Sequence, residues 1–128
     1  KLIKQGVSIG ITPDGPRGPR FQADQGALRI ARIAGVDIIP ASYSTTRRWV
    51  SRSWDRLIIP LPFGRGVFIW GKPIRSADMK TKDSFEAAQK TLESSLIDLS
   101  DRADALCGHA PIPVRQAHER PVKKKKGL

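Results

Sequence analysis

Nine residues, Thr12 to Arg20, hold three prolines and two glycines. No helix or strand continues through such a stretch. Each proline lacks an N–H and fixes its own φ, and each glycine loosens the chain. The block must therefore be a shaped loop, and what flanks it sets the local architecture. Before it, Val7 to Ile11 is a short β-branched apolar run, predicted to be a buried strand. After it, Asp24 is placed to cap a helix over 25–34, with Leu28, Ala31 and Ile33 or Ala34 inward and Gly35 ending it. Asp37 to Ser44, with Ile38, Ile39, Ala41 and Tyr43, reads as a second strand. Strand, loop, helix and strand make a βαβ unit, which predicts parallel pairing and a right-handed connection.

Further along, Thr45 to Asp55 is polar and basic and contains Trp49 and Trp54. Leu57 to Phe63 carries Pro60 and Pro62, which confine it to an extended edge. Val67 to Trp70 predicts a third strand. A long amphipathic helix follows, with Asp83 and Glu86 expected as its capping box. Phe85, Ala88, Leu92, Leu96, Leu99, Ala103 and Leu106 recur on one face, and Gly108 ends the helix. Residues 109–128 are Pro-rich and then Lys-rich, the composition of a disordered tail. The fold class expected is α/β, a mostly parallel sheet with flanking helices in residues 1–108. Lys1 to Gln5 reads as the last turn of a helix closed by Gly6, so the chain is expected to begin inside a domain, as its C-terminal portion.

A chain of 128 residues is one domain's length and can bury a core without staples. Hydrophobic residues make 39%, and with glycine the share is that of an ordinary globular chain. The single cysteine, Cys107, excludes an internal disulfide and any multi-cysteine metal site; no metal site is expected. It reads as an inert packed thiol, since a nucleophile would need a basic partner and the sequence places none on it. No run approaches the roughly 18 apolar residues of a membrane span. The net charge of +11 is uneven. Residues 1–75 hold 13 basic and 4 acidic residues, 76–114 hold 4 and 7, and 115–128 hold 6 and 1. Such an excess fits a polyanion: nucleic acid, an anionic membrane face or a phosphorylated substrate. Ten of the 13 arginines lie within 17–75, and arginine is the residue suited to bidentate phosphate recognition.

The loop block supplies the chemistry. In parallel sheets ligands bind beyond the carboxyl ends of strands, where Thr12 to Arg20 is expected to lie. Gly15 and Gly18 let backbone N–H groups face a ligand, and Arg17 and Arg20 bring guanidinium forks. The next helix start adds a positive dipole end. Asp14 is able to orient Arg17. Together they form an anion site suited to phosphate. The alternative is a rigid turn in which Asp14 and Arg17 pair only for folding. The block is not a Walker loop, because no Gly-Lys-Ser or Gly-Lys-Thr follows.

Thr12-Pro13-Asp14-Gly15-Pro16-Arg17-Gly18 resembles the Phe-Pro-Glu-Gly-Thr-Arg-Ser block of the glycerolipid and lysophospholipid acyltransferases. Pro13, Gly15 and Arg17 match, Asp14 stands where the family has Glu, and Thr12, Pro16 and Gly18 depart from the commonest form. The Pro-Asp-Gly-Pro-Arg-Gly-Pro form is similar to a bacterial branch of that superfamily. Ile38-Ile39-Pro40-Ala41 resembles the branch's next block, and Ser53 to Arg56, Ile59 to Phe63 and Val67 to Gly71 resemble it too. The resemblance covers about 1–106. It implies transfer of a fatty acyl group from an acyl thioester, on coenzyme A or acyl carrier protein, to a hydroxyl of a lysophospholipid or related phosphorylated glycolipid. No bound cofactor is implied. The block, with Asp14, Gly15, Arg17 and Arg20 and with Pro13 and Pro40 in support, would bind the acceptor phosphate. The family's base is a His followed five places later by Asp, and this chain has no such pair. Val114 stands five places after His109, and Lys123 five after His118, so neither histidine fits. The resemblance implies an acceptor-binding portion, inactive alone, peripheral on the cytoplasmic face of the inner (plasma) membrane.

Residues 47–54 interleave cations with aromatics. Arg47, Arg48, Trp49, Arg52 and Trp54 fit contact with an anionic bilayer. An exposed loop with one Trp in the core, or stacking on single-stranded nucleic acid, are the alternatives. A basic nucleic-acid-binding module is the competing function, resting on charge alone, since no nucleic-acid signature appears. The exposed face of the long helix carries Glu86, Glu93, Asp98 and Asp101, the wrong sign for an anionic bilayer.

Overall fold

The computed structural model describes residues 5–12, 23, 25–53 and 55–113. Among them, the order is helix α1 (Gln25–Ala34), strands β1 (Ala41–Thr45), β2 (Arg48–Val50), β3 (Ile58–Pro60) and β4 (Gly66–Trp70), a 3-10 turn (Ser76–Met79) and helix α2 (Lys82–Leu106). α1 keeps the span its pattern predicts, buries Leu28 and Ala31, and ends before Gly35, whose φ of +68° suits a residue without Cβ. Ile33, expected as one inward choice, is 83% exposed, so the inward stripe closes with Ala34.

α2 is the spine. Its apolar stripe from Phe85 to Ala103 is buried, as the 3- and 4-residue spacing predicts, whereas Leu106 is exposed. The core joins that stripe to Leu28 and Ala31 of α1 and to Ala23, Ile74 and Met79. The N-terminal cap corrects the sequence reading. Thr81 and Ser84 form the capping box: the Ser84 N–H donates to Thr81 Oγ1 at 3.1 Å, and the Thr81 N–H donates to Ser84 Oγ at 3.0 Å. Asp83 lies within the first turn. A hydroxyl two residues before Asp83 starts the helix earlier than the acid pair predicts.

The strands form two antiparallel pairs, β1 with β4 and β2 with β3. β1 and β4 match Ala41 to Trp70 and Thr45 to Gly66 at their ends. The pairing is prolonged by Gly71, whose N–H donates to Pro40 O at 2.8 Å, and by reciprocal bonds between Ile38 and Ile74. One face of β1 lies on α2, with the Ser42 and Ser100 hydroxyls 2.9 Å apart. The other face is open: Tyr43 stacks on Phe68 at 5.6 Å, and Phe68 and Trp70 are exposed. Val7 to Ile11 takes part in no strand pair among the described residues. It and the segment leading into β1 line a common groove instead.

Candidate functional site: an apolar groove at the mouth of the Pro-Gly-Arg loop

The groove has a volume of about 670 Å³, within the roughly 300–1,000 Å³ usual for small-molecule sites. Val7, Ile9 and Ile11 lie along one wall, with Ser8 and Gly10 between them. α1 contributes Ile30, α2 contributes Leu92 and Leu96, and Trp70 closes the β4 side. Val7, Ile9, Ile11, Ile30 and Ile39 are each about half exposed, although all are large and apolar. Exposed apolar side chains gathered around one concavity mark a place where something apolar docks.

The loop block springs from this groove. Ile11 lines it, Thr12 follows, and the next residue is Pro13. Pro13, Asp14, Gly15, Arg17 and Arg20 themselves lie outside the described residues. The far end of the loop is held at Ala23, which is 3% exposed. The Ala23 N–H donates to Glu93 Oε1 at 3.0 Å, and Ala23 O accepts from Gln89 Nε2 at 2.8 Å. Glu93 and Gln89 are one turn apart on α2, so one helix face takes both polar groups of the residue where the loop returns. The sequence reading placed Glu93 on the outer face of α2. The structure turns it inward, and no local pattern could have shown this, because its partner lies 70 residues away.

Pro40, expected in support, is buried at the start of β1. Its ring packs within 3.5 Å of the position a Cβ on Gly71 would take. No local pattern shows that contact; it comes from the β1–β4 register, which brings Gly71 beside Pro40.

The basic segment divides by strand parity. Arg47, Trp49 and Arg52 are exposed, while Trp54 lies outside the described residues. Arg48 is a correction: its side chain is 7% exposed and is ion-paired with Asp104 of α2, so it is no part of an outward contact surface. Successive residues of a strand point to opposite faces, and β2 spends Arg48 on the inner one. His109 is also tied into the fold. Its N–H donates to Asp104 O at 2.9 Å, and its ring Nε2 lies 2.9 Å from Thr45 O. These bonds cross the boundary expected after Gly108. Cys107 is a half-buried free thiol at the end of α2. His118 lies outside the described residues. Among the described residues no cluster of three His, Cys, Asp or Glu side chains is arranged to hold a metal. No described helix is long and apolar enough to cross a membrane.

No family model matches the chain, and no solved structure matches it. It is 40% identical over 96 residues to an uncharacterized protein of Rickettsia prowazekii (strain Madrid E), a match covering 73% of this chain and 44% of that protein. It is 26% identical over 113 residues to a 1-acyl-sn-glycerol-3-phosphate acyltransferase of Bacillus subtilis (strain 168), covering 83% of this chain and 51% of that protein. The chain thus spans about half the length of the curated relatives it matches. The second of these similarities is a distant one, and it is to an acyltransferase.

Proposed function

We propose that the chain is the acceptor-binding part of an acyltransferase, which moves a fatty acyl group from a thioester to a hydroxyl of a phosphorylated lipid. The observation that carries the reading is the adjacency of two chemistries. An apolar groove ends at Ile11, and the Pro-Asp-Gly-Pro-Arg block begins two residues later. An amphiphile with a phosphate head and a hydrocarbon tail has that same division. The tail occupies the groove beside Val7, Ile9, Ile30 and Trp70. The phosphate takes the Arg17 fork, Arg20 and the backbone of Gly15, while Asp14 orients Arg17. Similarity to the Bacillus subtilis acyltransferase supports the same class.

In the reaction, the acceptor oxygen attacks the thioester carbonyl, the C–S bond breaks, and the hydroxyl proton passes through a base to the departing thiolate. The base is supplied from outside these 128 residues, since no His stands five places before an Asp here. The mostly parallel acyltransferase-like sheet belongs to this proposal, with Val7 to Ile11 as one of its strands. So does a peripheral position on an anionic membrane surface, where a lipid acceptor resides.

The test is calorimetric titration of the chain with glycerol 3-phosphate, the head of the acceptor alone. Arg17→Lys keeps the charge and removes the fork, so affinity should fall about tenfold, the loss of one charge-assisted bond. Equal affinity in Arg17→Lys and the parent would refute the assignment of Arg17.

A further inference from the structure

The hairpin of β2 and β3 has one face on which the described residues leave large apolar side chains exposed. In its register Trp49 stands opposite Ile59, and the Leu61 N–H donates to Arg47 O at 2.9 Å. Arg47 and Trp49 therefore share a face with Ile59 and Leu61. Trp49 is 54% exposed, Ile59 41% and Leu61 42%. The inner face is the one that docks: Arg48 pairs with Asp104, and the Tyr43 hydroxyl donates to Ile58 O at 2.7 Å. Beyond Leu61 the chain turns through Pro62 to Phe63, which is 94% exposed. Phe63 has a φ of +64°, a costly backbone geometry for a bulky residue. The turn is nevertheless firmly fixed. The Thr46 N–H donates to Arg65 O at 2.8 Å, and the Arg65 N–H donates to Thr46 Oγ1 at 2.9 Å. A Cβ on Gly64 would lie 3.1 Å from Arg47 Cβ, so the two loops are in close contact.

The charges at the turn end of this apolar row have one sign, and Asp55 lies in the β2–β3 connection at the opposite end. Arg47 and Arg65 flank the turn and are exposed, and no Asp or Glu occurs in 41–52 or in 56–77. A second copy of the chain docking here about a two-fold axis would bring those arginines against their like. An anionic bilayer meets both features at once, with headgroups for the cations and an acyl boundary for the apolar tips.

We propose that the outer face of this hairpin is a membrane-insertion surface, with Leu61 and Phe63 as a rigid wedge entering an anionic bilayer and Arg47 and Arg65 on the headgroups. The inference rests on the membrane reading above and sharpens it, moving the contact from residues 47–54 to the Pro60–Gly64 turn. Pro60 and Pro62 restrict the backbone of the wedge, so little conformational freedom is lost on insertion. Trp49 sits behind the wedge, at the depth where an amphipathic ring is favoured.

The test uses Phe63→Cys in a Cys107→Ser background, labelled with an environment-sensitive fluorophore. Vesicles are equal parts phosphatidylcholine and phosphatidylglycerol, with pure phosphatidylcholine as control. Labelled protein should sediment with the anionic vesicles and its emission should shift to the blue. In the unlabelled chain, Phe63→Ser should lower partitioning about tenfold, with its salt dependence unchanged. Arg47→Ser should lower partitioning about fivefold and flatten its salt dependence. Circular dichroism of each variant checks that the fold is kept. Sedimentation with no blue shift would overturn the wedge and leave the membrane reading standing. Failure to sediment with anionic vesicles would overturn both. A shift that appears without vesicles and grows with protein concentration would assign the face to self-association and overturn the proposal.

Discussion

Arg48 of β2 and Asp104 near the end of α2 form a buried ion pair, with side chains 7% and 5% exposed. Ser44 of β1, fully buried, completes it: its hydroxyl donates to Asp104 Oδ1 at 2.7 Å and accepts from Arg48 Nη1 at 2.9 Å. Ser44 and Arg48, four residues apart on the adjoining strands β1 and β2, meet Asp104 of the distant α2 at this cluster, so both strand pairs are pinned to the one long helix.

Removing one partner leaves a buried charge unpaired. Asp104→Ala should therefore lower the unfolding free energy by about 3–5 kcal/mol, and Arg48→Ala by a comparable amount. The triple change Arg48→Met, Ser44→Ala and Asp104→Leu removes every polar member together and should recover most of the loss. Urea denaturation measures all three. A loss below about 1 kcal/mol in Asp104→Ala would show that the pair is not sealed from water.

The start of α2 gives a smaller, sharper comparison. Thr81→Ala removes the acceptor of the Ser84 N–H and should cost about 1 kcal/mol. Glu86→Ala, which touches no cap in the structure, should stay within about 0.5 kcal/mol. The reverse order in denaturation would restore the acid pair as the box.

The loop's return point predicts an effect on binding rather than on folding. Glu93→Ala leaves the Ala23 N–H without its acceptor, next to the block that carries Arg17 and Arg20. Affinity for glycerol 3-phosphate should fall about fivefold, as expected for one lost hydrogen bond of roughly 1 kcal/mol. Glu93→Gln keeps a carbonyl oxygen there and should bind as the parent does. Equal weakening in both variants would mean that the charge of Glu93, and not its hold on Ala23, sets the affinity.

What the sequence made legible follows from the range of each interaction. α1, the span of β4 and the buried stripe of α2 are written in local periodicity, and local periodicity is preserved when elements pack. The capping box was misplaced by two residues because Thr81 with Ser84 and Asp83 with Glu86 offer the same spacing. Arg48 was grouped with its neighbours because composition carries no parity for a three-residue strand; only the register with β3 tells Arg48 from Arg47. Glu93 reads as a solvent charge on an amphipathic helix, yet it is taken inward by Ala23, a partner far along the chain. The block from Pro13 to Arg20 lies outside the described residues, and the structure describes the residues on either side of it, Ile11 with Thr12 and Ala23.

The central claim is that this groove and this loop hold a phosphorylated lipid together, and headgroup dependence tests it most directly. The chain should be titrated below the micelle threshold with lysophosphatidic acid and with monoacylglycerol of the same acyl chain, following the fluorescence of Trp70, with Trp70→Phe as the blank. The account predicts quenching by both lipids and affinity about tenfold or more greater for lysophosphatidic acid, the worth of a charge-assisted phosphate contact. That preference should vanish in Arg17→Ser. Equal affinity for the two lipids in the parent chain, or a preference that survives Arg17→Ser, would contradict it.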